Sequence, residues 1–491
     1  MSRALRTIVA VAGGLLLLLL PLAIPPADPV VPSAPQTGRP FVWGRDSLWQ
    51  ALERGFVAAR PAGCGAPGEL DAELSAFEAR VVQLDVLGAS LTPEASALDS
   101  LEHLGFAIAP RVAACPEVVA RYVAAQARAR AAVKRASLRW DANAPSVRDR
   151  LYRVLYGGRA AVEEVLLQQP GAAPALMAGT DEPSATPGAV VQGVRIHSGD
   201  ILVSRGGYPT SALIARGNDH PGNFSHIALV HVDAASGVVS VIEAHIELGV
   251  AITTAEGYLA DKKLRVMVLR PRADLPALVA DPQLPHKAAQ AMLDRARREH
   301  IPYDFAMAYD DPSRLFCSEV ASAGYRQQGM TLWMGRSTIS RPGLRGWLAS
   351  FGVQRFETQE PSDLEYDPQL VVVAEWRDPA ALFADHVDNA VTDAMLEGAE
   401  RGDRLTYDWW ALPPARLLKG VSWVQQRFGA PGTIPEGMAP AAALRNRTYG
   451  ARHDAYASRV TERAEAWRSQ QGYVPPYWAL VALAREVVAA P

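Results

Sequence analysis

The hydrophobic pattern changes period part-way along this chain of 491 residues, and that change limits what it can fold into. Residues 42–169 read as helical. In one clear stretch Val118, Tyr122, Ala125, Ala129, Ala132 and Ala136 recur at spacings of three and four, which places them along one helix face. Arg121, Arg128, Arg130, Lys134 and Arg135 fall off that face; such a run is most often a solvated surface, the alternative being contact with anionic lipid or wall polymer. Residues 170–188 are rich in Pro, Gly, Ala and Ser, the composition of a linker. Beyond them the apolar runs become short, at 201–204, 226–232, 238–244, 264–269 and 370–376, and read as strands. Helical patterns at 285–299 and 317–328 interrupt them. Strands mixed with a few helices predict an α+β domain. From Pro379 helical signals return, giving a C-terminal helical extension over 379–491. Its aromatics, among them Tyr407, Trp409, Trp410, Trp423, Trp467, Tyr477 and Trp478, are expected to pack against the core, the alternative being a carbohydrate or membrane surface.

A chain of this length exceeds one core and implies two or three domains. Its net charge of −3 argues against a nucleic-acid partner, because neutralising phosphates needs a basic surface. At the N-terminus Arg3 and Arg6 precede an apolar run over residues 8–24 that contains six consecutive leucines. That pattern describes an export signal, slightly long for a cleaved segment and slightly short for a comfortable span. Residues 1–27 are therefore expected to be a signal peptide or membrane anchor, followed by a Pro-rich linker over 28–41, with the protein periplasmic or held at the inner membrane. Gly63 to Gly68 formally matches G-x-G-x-x-G, but no strand precedes it and Pro67 interrupts it, so it reads as a loop.

Two short segments carry chemistry. Cys317 in Leu315-Phe316-Cys317-Ser318-Glu319-Val320 is read as opening an amphipathic helix, where the dipole favours a thiolate and free N–H groups suit an oxyanion. His226 in Phe224-Ser225-His226-Ile227-Ala228-Leu229 opens an apolar strand, which can hold it rigidly as a general base. Asp233, Ser236 and Gly237 between two β-branched runs predict a hairpin. With an even number of loop residues, His226 faces Glu243 directly or diagonally, and a carboxylate there accepts the second imidazole N–H. His245 has the same parity and is the understudy; a loop one residue different would turn both away. Among the three cysteines, a catalytic Cys317 leaves Cys64 and Cys115 free to pair in an exported protein, the alternative being two separate buried thiols. His197, His220 and His231 lack metal-ligand spacing. H-E-x-x-H, G-x-S-x-G and Walker A patterns are missing, which disfavours zinc, serine-hydrolase and nucleotide chemistry; no metal or cofactor is expected.

The order of histidine before cysteine, "SGDIL" at 198–202, "YDF" at 303–305 and "FCSEV" at 316–320 running on to Tyr325 make a specific combination. Residues 189–378 thereby resemble the circularly permuted papain-like amidases and peptidases, in the YaeF/YiiX-like branch related to the NlpC superfamily. The resemblance implies a permuted papain-like domain with an antiparallel sheet, and a Cys317–His226–Glu243 triad working through a thioester. It also implies an oxyanion role for the Tyr303 hydroxyl, with a core tyrosine as the other reading, and a turn-organising role for Asp200. The function implied is an exported cysteine hydrolase acting on a cell-wall peptide or on a lipid amide or ester. The alternatives are an acyltransferase or thioesterase of the same fold, and an envelope protein that only binds. Membrane association through the N-terminus is the further expectation.

Overall fold

The structure is a computed structural model that describes residues 21–27, 29–33, 38–42, 47–428 and 430–490. Residues 1–20, most of the segment read as signal or anchor, lie outside the described residues. Among the described residues no helix is long and apolar enough to cross a membrane.

The N-terminal region is a bundle of the helices Ser47–Ala62, Pro67–Leu87, Ser96–Ala113, Pro116–Ala136 and Pro145–Gln168. Three of these open with proline in the first turn, where its fixed φ suits the helix and its missing N–H is not needed. In Pro116–Ala136 the predicted stripe faces inward, with Tyr122, Ala125, Ala129, Ala132 and Ala136 all buried. The basic run beside it is partly exposed and ion-paired. Arg121 bridges to Glu78 at 2.7 Å, Arg128 to Glu78 at 2.9 Å, Arg130 to Glu375 at 3.0 Å and Arg135 to Asp85 at 3.3 Å. Lys134 is buried and donates to the Glu365 carbonyl at 2.6 Å; burial pulls its pKa down to about 7. Cys64 and Cys115 are disulfide-bonded, Cα to Cα 4.6 Å, joining the turn after the first helix to the residue that caps the fourth.

The strands are β1 (Leu176–Ala178), β2 (Gly188–Val191), β3 (Val194–His197), β4 (Ile201–Gly206), β5 (His226–Val232) and β6 (Val239–His245). They continue with β7 (Gly249–Thr254), β8 (Lys263–Pro271), β9 (Ser337–Thr338), β10 (Glu357–Thr358) and β11 (Leu370–Trp376). Seven form an antiparallel sheet in the order β1-β11-β8-β4-β5-β6-β7, while β2–β3 and β9–β10 are separate pairs. Side chains alternate across the sheet. Ile227, Leu229 and Met267 face a core shared with Ala288, Met292 and Val320 of helices Leu284–Arg298 and Glu319–Gln327. Ala228, Val230 and Val268 face the other side, under β2–β3. The mixed α+β domain and its helical flanks are thus present.

One stretch read as linker differs. Leu176–Ala178, inside 170–188, pairs with β11 as the edge strand of the main sheet. Three residues are too few to show a period in sequence. Gly179 follows, donating to the Val373 carbonyl at 2.8 Å; a Cβ there would meet the Val372 carbonyl at 2.0 Å, so only glycine permits the approach.

The helical flanks share a charged core with the sheet. Arg265 of β8 is fully buried and paired with Glu163 of helix Pro145–Gln168 and with Asp385 of helix Pro379–Glu400. Arg205 of β4 reaches Asp385 at 3.1 Å, and Arg159 pairs with Glu365 and Glu375. The aromatics of the extension divide into two groups. Tyr477 donates to Asp393 at 2.6 Å and Trp478 packs on Phe56 at 5.6 Å, whereas Trp409, Trp410 and Trp423 are exposed.

Candidate active site

The β5–β6 turn spans residues 233–238, an even number. It is shaped by Asp233, whose carboxylate accepts the Ser236 N–H at 2.8 Å, and by Gly237 at φ 71°. The register pairs Ala228 with Glu243, so continuing it puts His226 opposite His245 and diagonal to Glu243. His226 Nε2 and Glu243 Oε2 are 2.6 Å apart, and His245 Nε2 lies 3.2 Å from the other oxygen, Oε1. One buried carboxylate therefore serves two imidazoles. Burial opposes its ionisation, but the hydrogen bonds from His226 and His245 outweigh that and hold Glu243 well below the usual carboxylate range. For His226 the balance is reversed: burial dominates over the pull of Glu243, lowering its pKa and leaving a neutral imidazole at neutral pH. His245, more exposed, is raised by its hydrogen bond to Glu243.

The ring of His226 is further supported by Tyr258, stacked at 6.5 Å, whose hydroxyl donates to Ser204 at 2.8 Å. Ser204 is the β4 residue directly opposite His226. Nothing in the sequence singles out either residue, because Tyr258 comes from a six-residue helix, Ala255–Ala260, with no motif of its own.

Cys317 departs from its expected setting. The helix begins at Glu319 with Ser318 as its cap, so Cys317 sits in the turn just before it and does not open it. Glu319 closes that turn by accepting the Phe316 N–H at 3.2 Å. The thiol is only 4 % exposed and donates to the carbonyl of Ser225 at 3.7 Å, beside the first residue of β5. Burial pushes its pKa up to about 12, outweighing the Ser318 hydroxyl and the Ile227 and Ser318 N–H groups that favour a thiolate. The depressed pKa expected of a helix-opening cysteine is not what this buried setting favours. Iodoacetamide alkylation of Cys317 should be assisted by His226, rising as the imidazole loses its proton below about pH 6.5 and climbing again toward about pH 10 as free thiolate forms; a rate that stays flat down to about pH 5 would show a standing thiolate–imidazolium pair instead.

Ser225, His226, His245, Tyr303 and Cys317 line one cleft of about 890 Å³. Tyr303 stands against Phe305 at 5.0 Å, and burial raises its pKa well above the ordinary value, so its hydroxyl stays a donor. The opposite wall comes from the C-terminal extension, through Thr433, Pro435, Met438, Asn446, Arg447 and Asp454. Sequence reasoning gave that extension no place in the site. Asp200 lies apart from the cleft, accepting the His197 N–H at 2.8 Å and the Arg270 guanidinium at 2.8 Å, a turn-organising position. His197, His220 and His231 are likewise engaged elsewhere, with Thr186, Asp149 and Gln290.

Because Glu243 touches both rings, the two candidates for third residue can be compared directly. Glu243→Ala should lower turnover on any accepted amide or thioester reporter more than His245→Ala does, at matched stability. Glu243→Gln should also shift the acid limb of kcat/KM to lower pH, since the His226 imidazolium loses its charged partner. A larger loss in His245→Ala would assign the orienting role to His245.

No curated protein and no solved structure matches the chain. Residues 195–374, the segment that carries His226, Glu243, Tyr303 and Cys317, match the model of the permuted papain-like amidase enzyme family, YaeF/YiiX, C92.

Proposed function

We propose that the protein is an exported cysteine hydrolase that cleaves an amide or ester of the cell envelope through a thioester on Cys317. The observation that carries this reading is the His226–Glu243 hydrogen bond of 2.6 Å, in a cleft that His226 and Cys317 both line. Since the resting thiol is neutral, His226 removes its proton as the sulfur attacks the substrate carbonyl, using the ring nitrogen that Glu243 does not occupy. Glu243 holds the ring and supports the imidazolium. The Tyr303 hydroxyl donates to the developing oxyanion. His226 then passes the proton to the leaving amine or alcohol, and water, deprotonated by the same imidazole, releases the acid. The apolar run over residues 8–24 supports export, and the Cys64–Cys115 disulfide fits an oxidising compartment.

The test is intact-mass measurement after exposure to activated acyl esters and amides. A hydroxylamine-labile gain equal to one acyl group is expected in the wild type and not in Cys317→Ala. An adduct that survives in Cys317→Ala would overturn the reading. Product analysis with an added amine separates hydrolysis from acyl transfer.

A further inference from the structure

Helix Leu412–Arg427 inverts the pattern of an ordinary surface helix. Its inward face is formed by Leu412, Ala415 and Ser422, which are buried. Leu417, Val421, Val424 and Phe428 recur at spacings of three and four on the opposite side, and Trp410 continues that line toward the N-terminus. All five are exposed, Trp410 at 63 % and Phe428 at 85 %. The outward face of such a helix is normally polar, and a contiguous apolar stripe marks a contact. Exposed Trp409 and Trp423 flank the stripe, and the helix contains Arg416, Lys419 and Arg427 but no acidic residue.

Two further observations name the partner. The Arg416 guanidinium donates to the carbonyls of Pro21, Leu22 and Ile24, each at 2.8 Å. These residues end the apolar run 8–24, so that run leaves the described structure at the side of this helix. On the other side the helix is latched to the cleft: Lys419 donates to the Glu436 carbonyl at 2.7 Å, and the Ser422 hydroxyl accepts the Ile434 N–H at 3.0 Å. The segment so held contributes Thr433, Pro435 and Met438 to the cleft wall.

We propose that the outer face of helix Leu412–Arg427 docks on a phospholipid bilayer beside the N-terminal apolar run, and that this places the cleft at the membrane surface to take a lipid-borne amide or ester. The docking stands on the stripe and the Arg416 contact; the substrate class rests on the catalytic reading of the cleft. The side chains suit the task. The aliphatic stripe enters the acyl boundary and tryptophans occupy the headgroup level.

The experiment uses the full chain carrying Cys317→Ser and Val421→Cys, labelled at the new thiol with an environment-sensitive nitrobenzoxadiazole while Cys64–Cys115 stays bonded. A second protein carries Cys317→Ser and Ala235→Cys, in the β5–β6 turn at the far end of the hairpin from the cleft. Adding vesicles of phosphatidylethanolamine and phosphatidylglycerol should raise emission at position 421 on the order of twofold, with a blue shift and quenching by brominated lipid, and leave position 235 unchanged. Vesicle-bound protein with no change at 421 overturns the proposal. A label already blue-shifted without lipid at every concentration assigns the stripe to the N-terminal run, and a concentration-dependent shift without lipid assigns it to a second copy; either also overturns it. Acylation of Cys317 in the wild type is measured separately, so failure of docking is distinct from failure of the catalytic reading.

Discussion

His226→Ala should lower turnover by about 10²–10⁴-fold, the usual consequence of losing a general base, without unfolding the domain. The magnitude follows from the state of the thiol. With Cys317 held protonated by burial, little preformed thiolate survives to act when the base is gone. An enzyme with a standing thiolate would tolerate loss of the histidine better. The sign of the pH dependence follows as well. Burial lowers the His226 pKa, so the imidazole stays neutral and competent as pH falls through the ordinary histidine value near 6.5. The acid limb of kcat/KM should therefore lie below about pH 6.5 in the wild type. Residues that act as a unit are not additive, so His226→Ala in a Cys317→Ala background should cost little more.

The second large effect is on stability. Arg265→Ala should destabilise the protein by about 3–5 kcal/mol, because it leaves the buried carboxylates of Glu163 and Asp385 without this partner. Arg485→Ala removes an ion pair with Glu397 at 2.6 Å that is largely open to solvent. Its cost should be under about 1 kcal/mol, since water screens the pair and competes for both groups. Thermal and urea unfolding of the two variants beside the wild type measures the contrast. A comparable loss from both would mean that the charged core does not hold the helical flanks to the sheet.

Much of the site was legible because a hairpin converts sequence spacing into geometry. An even turn puts residues of matching parity on the same face, and this places Glu243 and His245 on the side of the sheet that His226 faces. The strands read at 201–204, 226–232 and 370–376 were legible for a similar reason, being short apolar runs bounded by turn residues; the first runs on to Gly206. Cys317 shows where such reading stops. Periodicity locates a helix but not its first residue, and Cys317 lies two residues before it, hydrogen-bonded to a strand carbonyl. The charged core was illegible. Arg265 and its partners lie 102 and 120 residues apart, and no local pattern marks them as one group. The cleft wall from the C-terminal extension was hidden likewise, since its residues belong to no motif and only packing brings them to the sheet domain. The exposed tryptophans were visible as a cluster, but composition alone does not say which face of a helix is outward.

The most direct test of the central claim is native labelling of the full chain with a chloroacetamide probe at neutral pH, followed by mass spectrometry of the modified peptides. The account predicts modification on the peptide containing Cys317, reduced by about 10²-fold or more in His226→Ala, with Cys64 and Cys115 unmodified because they are bonded to each other. Labelling of Cys317 at equal rates with and without His226, or labelling confined to Cys64 and Cys115, would contradict it.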